Sequence, residues 1–223
     1  NAGADQAICL GQTANLSASG SAGTPGYTYA WSNGTTTASM SVSPLATTTY
    51  TVTVTDYNGC ADTITSIVKQ PDSLDVSATI THVRCAGQSS GSVLISPSGG
   101  VSPYSIVWNN SQAIGFTPTS LNAGNYSAVI SDANSCTSTI AAQINQPTAL
   151  NAVVAAPPTL CIGQFVTLQV STSGGTPSYS YQWSNGATTD TVSVSPTVTT
   201  AYNVTVTDAN GCVVPVINTS VNV

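Results

Sequence analysis

The sequence predicts an all-β chain built from three small two-sheet sandwiches in tandem. Three observations lead there: a threefold internal repeat, period-2 alternation of apolar residues, and closely spaced turn signals. The repeat is clearest in the cysteines. Cys9, Cys60, Cys85, Cys136, Cys161 and Cys212 form three successive pairs separated by 51 residues, and each pair is displaced from the last by 76. Trp31, Trp108 and Trp183 follow the first cysteine of each pair by 22, 23 and 22 positions, and Tyr50, Tyr126 and Tyr202 precede the second by 10. Each first cysteine opens a Cys-x-Gly-Gln tetrad ending at Gln12, Gln88 or Gln164, and Asp56, Asp132 and Asp208 stand four residues before each second cysteine. Junctions fall at Gln70-Pro71 and Gln146-Pro147, which divides the chain into copies 1–70, 71–146 and 147–223. Linkers this short predict a stiff rod. The chain starts and stops at nearly the same point of the period, as an excerpt from a longer array would.

Within each copy the alternation is that of a strand with one wet face. Tyr50, Val52 and Val54 alternate with Thr49, Thr51, Thr53 and Thr55, and Tyr202, Val204 and Val206 repeat the pattern. Asn33-Gly34, Asn58-Gly59, Gly99-Gly100, Pro103 and Asn210-Gly211 punctuate the runs, and no window supports an amphipathic helix. Short strands, a Cys-Trp-Cys order and about 76 residues per copy describe an immunoglobulin-like β-sandwich, with the Trp packed near a disulfide.

Cysteines at fixed separation read as disulfides in an oxidising compartment, and no Cys-x-x-Cys spacing suggests zinc. The spacing therefore predicts one intradomain bridge per copy: Cys9 with Cys60, Cys85 with Cys136, Cys161 with Cys212. Metal ligation and free thiols are the alternatives. A copy of this size buries little surface, so a bridge worth roughly 4 kcal/mol in the chain-entropy model would supply much of its stability.

Charge excludes several function classes. Charged residues make up 4% of the chain, and the formal charge is -6, with Lys69 and Arg84 the only bases besides one histidine. Nucleic-acid binding needs a basic stripe that this chain lacks. No apolar run reaches the roughly 18 residues that span a bilayer, so no membrane insertion is expected.

The middle copy resembles a known family through Cys85-Ala-Gly-Gln, Gly91-Ser92-Val93, Gly99-Gly100-Val101-Ser102-Pro103-Tyr104, Trp108, Leu121-Asn122-Ala123-Gly124-Asn125-Tyr126 and Ser131-Asp132 up to Cys136. These motifs resemble the SprB repeat of large Bacteroidota surface adhesins, including those tied to gliding motility. The outer copies, with Trp31-Ser32-Asn33-Gly34, Trp183-Ser184-Asn185-Gly186 and Tyr-x-Val-x-Val-x-Asp, are similar to immunoglobulin-like or PKD-like modules of the same proteins. They lack the Trp-x-Phe-Gly-Asp-Gly segment of a PKD domain. The resemblance implies export, by the type IX route, to the cell surface or beyond.

Candidate sites are few. His82 is the one histidine, there is no Glu, and no acid-base pair is visible, so no enzyme and no cofactor are expected. Asp56, Asp132 and Asp208 sit in Asp-x-Asn segments that read as hairpin turns; they are calcium candidates only if Asp72 or Asp75 joins them at a junction. Tyr29 and Tyr181 are candidate sugar-binding rings. Asp62-Thr63-Ile64, Asp72-Ser73-Leu74 and Asp190-Thr191-Val192 match the O-glycosylation triplet of Bacteroidota export systems, which makes Thr63, Ser73 and Thr191 candidate acceptors. The function expected is a structural and adhesive spacer in a secreted surface protein or filament. Its partners would be neighbouring repeats, fibre-forming copies, and surface glycans or substratum. The alternative is a glycan-binding module array associated with a secreted polysaccharide-degrading enzyme.

Overall fold

A computed structural model describes residues 3–223. Seventeen strands account for the regular structure among them. The first copy contributes β1 (Gln6–Ala7), β2 (Ala14–Ser17), β3 (Thr28–Trp31), β4 (Ser39–Val42), β5 (Thr48–Thr55) and β6 (Ala61–Lys69). The second contributes β7 (Asp75–Thr81), β8 (Ser92–Ser98), β9 (Ser105–Trp108), β10 (Gly124–Ser131) and β11 (Thr137–Ile144). The third contributes β12 (Asn151–Val154), β13 (Val166–Ser173), β14 (Ser180–Trp183), β15 (Thr191–Val194), β16 (Thr200–Thr207) and β17 (Ile217–Val221).

Copy 3 shows the partition most plainly: sheet β12-β13-β15 faces sheet β14-β16-β17, the two-layer arrangement of an immunoglobulin-like sandwich. Copy 1 has β2-β4 opposite β1-β6-β5-β3, because its short first strand has moved across to pair in parallel with the last, Gln6 opposite Val68. Copy 2 has β7-β8 and β11-β10-β9, and the strand that would follow is reduced to a bridge between Gly91 and Leu121.

The predicted alternation sets which face is buried. Tyr50, Val52 and Val54 of β5 point inward with Ala14, Leu16, Trp31 and Val68, while the threonines between them face β6 and solvent. In copy 3, Leu168, Val170, Trp183, Val204, Val206 and Val221 build the equivalent core. Trp31 and Trp183 each donate Nε1–H to a backbone carbonyl, Thr37 and Thr189, both at 2.9 Å, so burial leaves neither indole group unpaired. Trp108 is half-buried.

The chain forms two compact units, and both cut through the middle copy. The first is Asn1–Ala78, Ile95–Asn109 and Ser127–Ala141; the second is Thr79–Leu94, Asn110–Tyr126 and Ala142–Val223. Each unit therefore contains one outer copy and part of the middle one.

The disulfide pairing departs from the intradomain bridges expected. Cys9 is bonded to Cys136 and Cys85 to Cys212, while Cys60 and Cys161 are free and exposed. Strand direction explains why. Cys9 follows β1, which runs beside the end of β6, where Ile8 donates its N–H to the Lys69 carbonyl; Cys60 stands just before the start of β6. The nine residues of β6 thus separate them, a span of about 30 Å at roughly 3.3 Å per residue, whereas a disulfide needs Cα atoms within about 7 Å. Copy 3 repeats the geometry, with Leu160 donating to the Asn222 carbonyl beyond the far end of β17 from Cys212. The tryptophans are accordingly not packed beside a bridge: the inward positions of β2 and β5 hold Leu16 and Val52.

Candidate functional site at the repeat junctions

Two turns recur in every copy and meet at the junctions. One is the Cys-x-Gly-Gln turn before the second strand. Gln12, Gln88 and Gln164 donate their backbone N–H to the carbonyls of Cys9, Cys85 and Cys161 at 2.9, 3.1 and 3.0 Å. Cys9 and Cys161 return the bond to the Gln12 and Gln164 side-chain carbonyls.

The other is the Asp-x-Asn-x-Cys turn between the last two strands. Asp208 Oδ1 accepts from the N–H groups of Asn210 and Cys212 at 2.9 and 2.8 Å, and Oδ2 accepts from Thr176 in a neighbouring loop at 2.8 Å. Asp132 does the same with Asn134, Cys136 and Val101, and Asp56 with Asn58, Cys60 and Thr24. Each carboxylate is a latch that holds the cysteine turn against the loop entering the third-strand position. The Thr24 and Cys60 N–H groups lead in holding the Asp56 carboxyl below its ordinary pKa. At Asp208 desolvation pushes the other way and is outweighed by the four backbone donors from Thr176, Cys212, Asn210 and Gly211, so its pKa is also lowered.

These bonds occupy both oxygens of the three aspartates named above as calcium candidates. No group of three metal-ligating side chains is gathered among the described residues.

Glycines let the loop come this close. Gly99 and Gly100, and Gly174 and Gly175, have φ between 59° and 70°, and a Cβ on Gly175 would stand 2.8 Å from Asp208 Oδ2. A tyrosine closes the same loop from behind: the Tyr104 and Tyr179 hydroxyls donate to the Gly99 and Gly174 carbonyls at 2.6 and 2.8 Å, and Tyr27 does so to Gly23 at 3.1 Å. Tyr27, Tyr104 and Tyr179 each stand four residues before the tryptophan of their copy, a recurrence the sequence carries, but only the folded loop gives them a partner.

The junctions join one turn of each kind. In the first unit the Cys9 turn of copy 1 meets the Cys136 turn of copy 2, with Cα atoms 5.4 Å apart. Leu10, Pro71, Asp72, Ser73 and Leu74 line the cleft beside it. In the second unit the Cys85 turn of copy 2 meets the Cys212 turn of copy 3 at 5.6 Å. There Asn210 Nδ2 donates both to Thr176 Oγ1 at 2.8 Å and, across the junction, to the Arg84 carbonyl at 3.1 Å.

The remaining candidates lie apart from one another. His82 accepts the Asn145 backbone N–H at Nδ1 and has a structural place at a strand end. Tyr29 and Tyr181 are half-buried and packed against the cores of copies 1 and 3, and Tyr181 is within hydrogen-bond reach of Thr172 Oγ1. Thr63 and Ser73 are exposed, Thr63 in β6 opposite Thr53 and Ser73 in the cleft beside Cys9–Cys136, while Thr191 is half-buried at the start of β15. No helix among the described residues is long and apolar enough to cross a membrane.

The SprB repeat family matches residues 77–113 and 167–188, so the likeness seen in the middle copy extends into the corresponding part of the third. No curated protein matches the chain. Among solved structures it is similar to the eight N-terminal immunoglobulin domains of Down syndrome cell adhesion molecule (14% identity, TM-score 0.46), covering 98% of this chain and 36% of that one. It is also similar to immunoglobulin domains 1–5 of Sidekick-1 (12%, TM-score 0.39, 98% and 57% covered). A third is Drosophila OTK extracellular domains 3–5 (11%, TM-score 0.33, 99% and 95% covered). This chain spans about a third of the first of these and over half of the second. The strand pairings by themselves define the sandwich. The chain is a threefold repeat region. Parts of its second and third copies are similar to the SprB repeat.

Proposed function

We propose that this chain is a cross-braced spacer in a secreted cell-surface protein, which holds an adhesive part of that protein away from the cell for attachment or gliding on a substratum. One observation carries the reading: each disulfide ties a copy to the next copy, not to itself. The two bridges each span 127 residues, and the segment from Cys85 to Cys136 lies inside both. A pull applied across Cys9 and Cys212 therefore runs through Cys9–Cys136, back along that shared segment, and out through Cys85–Cys212. About 50 residues bear it, not about 200, so the extended length between these cysteines is limited to roughly 180 Å in place of roughly 700 Å. Most of the first and third sandwiches lies off the path of force.

Disulfides of this kind persist outside the cell, which supports a secreted location. A near-absence of lysine leaves the edge strands without their usual guard, which supports lateral packing of copies into a fibre. Glycans at Thr63 or Ser73 would supply polar bulk to the same surface. Force spectroscopy on single chains held at the two ends tests the spacer reading. Oxidised chains stop short by several hundred ångströms relative to reduced ones, and equal final lengths in both states overturn it.

A further inference from the structure

We propose that the exposed thiols of Cys60 and Cys161 are the two unmatched halves of the same inter-copy disulfide. Each is shaped to bond another copy of this module. Cys60 takes the Cys-x-Gly-Gln turn of a copy on its N-terminal side, and Cys161 takes the Asp-x-Asn-x-Cys turn of a copy on its C-terminal side. This goes beyond the spacer reading, which needs only the two internal bridges.

The repeat itself supplies the comparison. Cys60 occupies the position of Cys136 and Cys212, and Cys161 that of Cys9 and Cys85; all four of those equivalents are bonded, always one turn type to the other. The free thiols sit in the same backbone frames as the bonded ones. Cys60 N–H is held by Asp56 Oδ1 at 2.9 Å, as Cys136 and Cys212 are by their aspartates at 2.8 Å. Cys161 and Gln164 exchange the same pair of bonds as Cys9 and Gln12.

Two further features point outward to a partner. Asn58 makes the bond to Thr24 Oγ1 that Asn210 makes to Thr176, and Asn210 uses its amide as well to reach the Arg84 carbonyl, which belongs to the residue just before the bonded Cys85. A docked copy would present an equivalent carbonyl to Asn58. Apolar side chains also flank both thiols: Tyr57 is 78% exposed beside Cys60, and Ile162 and Phe165 are 76% and 75% exposed beside Cys161.

The chemistry balances with a small-molecule disulfide such as oxidised glutathione as the oxidant. One protein thiolate attacks it, forming a mixed disulfide and releasing one glutathione; the second protein thiolate then displaces the other. Two protein thiols become one disulfide, and the oxidant leaves as two thiols.

The test is two whole chains in series, linked by a second copy of residues 148–152, which restores the repeat phase and hence the 127-residue spacing seen at both bridges. C60S in the leading half and C161S in the trailing half leave a single candidate pair. After oxidised glutathione is added under native conditions, the thiol count falls from two to zero. A Cys161–Cys60 peptide then appears beside the Cys9–Cys136 and Cys85–Cys212 peptides that report folding of each half. If those native pairs form while the two thiols remain free or carry only glutathione, the proposal is wrong. A chain cross-linked only between separate molecules overturns it equally.

Discussion

The Cα atoms of Cys9 and Cys136 lie 5.4 Å apart although 127 residues separate them, so the β1–β2 turn of the first sandwich and the β10–β11 turn of the second share a covalent bond. The separation is one repeat longer than the cysteine spacing inside a copy. The same increment recurs in Cys85–Cys212. Linkage of successive copies is thus a property of the repeat and not of one junction.

Peptide mapping without reduction is the direct check. Cys9 is recovered with Cys136 and Cys85 with Cys212, while brief native alkylation modifies Cys60 and Cys161, both exposed. A Cys9–Cys60 peptide from unscrambled material would contradict the strand directions described here.

Removing one bridge and removing a free thiol should differ sharply in urea denaturation. The double change Cys9→Ser with Cys136→Ser releases a 127-residue loop, which costs up to about 5 kcal/mol in the chain-entropy model. Cys60→Ser touches an exposed thiol without a bridge and stays within about 0.5 kcal/mol of the parent.

The aspartate latch predicts both a substitution effect and an acid limb. Asp132→Ala leaves the N–H groups of Val101, Asn134 and Cys136 without their carboxylate and should cost about 3 kcal/mol or more. Asp56 and Asp208 have carboxyl pKa values below the ordinary value in the folded chain. Their contribution is therefore complete above an ordinary carboxylate pKa of about 4, and is lost as pH falls through the lower folded values. Stability at pH 5 to 7 should be flat with respect to these groups, and Asp208→Asn should lower it there while shallowing the acid limb.

Gly174 and Gly186 both have positive φ, 70° and 87°, but only Gly174 is crowded, with the Ala149 carbonyl oxygen where a Cβ would go. Gly174→Ala should cost about 3 kcal/mol or more, while Gly186→Ala, with open space around it, should cost about 1 kcal/mol. Thermal melts of the two variants separate close backbone approach from backbone conformation alone.

Much of the latch was legible from residue types. Asp followed two residues on by Asn reads as a turn in which a short carboxylate bonds nearby N–H groups, and Asp56, Asp132 and Asp208 do so, with Ser135 taking the positive φ that Gly59 and Gly211 supply in the other copies. Their third donor was not legible, because Thr24, Val101 and Thr176 come from a loop about 32 residues away that only the sandwich brings near. The pairing of cysteines differs from the intradomain expectation for a related reason. A spacing of 22 from Cys9 to Trp31 already puts the cysteine upstream of β2 and not within it, and an Asn-Gly turn separates β5 from Cys60. Both cysteines are end-of-strand residues, whereas a bridge between sheets needs inward positions such as Leu16 and Val52.

Sequence alone determined the threefold repeat, the strand character, the buried face of the alternating runs at Tyr50–Val54 and Tyr202–Val206 and much of the turn chemistry, since each follows from local periodicity or from the conformational preference of one residue. Which cysteine bonds which was decided by tertiary structure. A fixed spacing reports that positions are equivalent, not which ends of a sandwich they occupy. Strand direction puts the two cysteines of one copy at opposite ends, and stacking brings the near ends of successive copies within reach of a covalent bond.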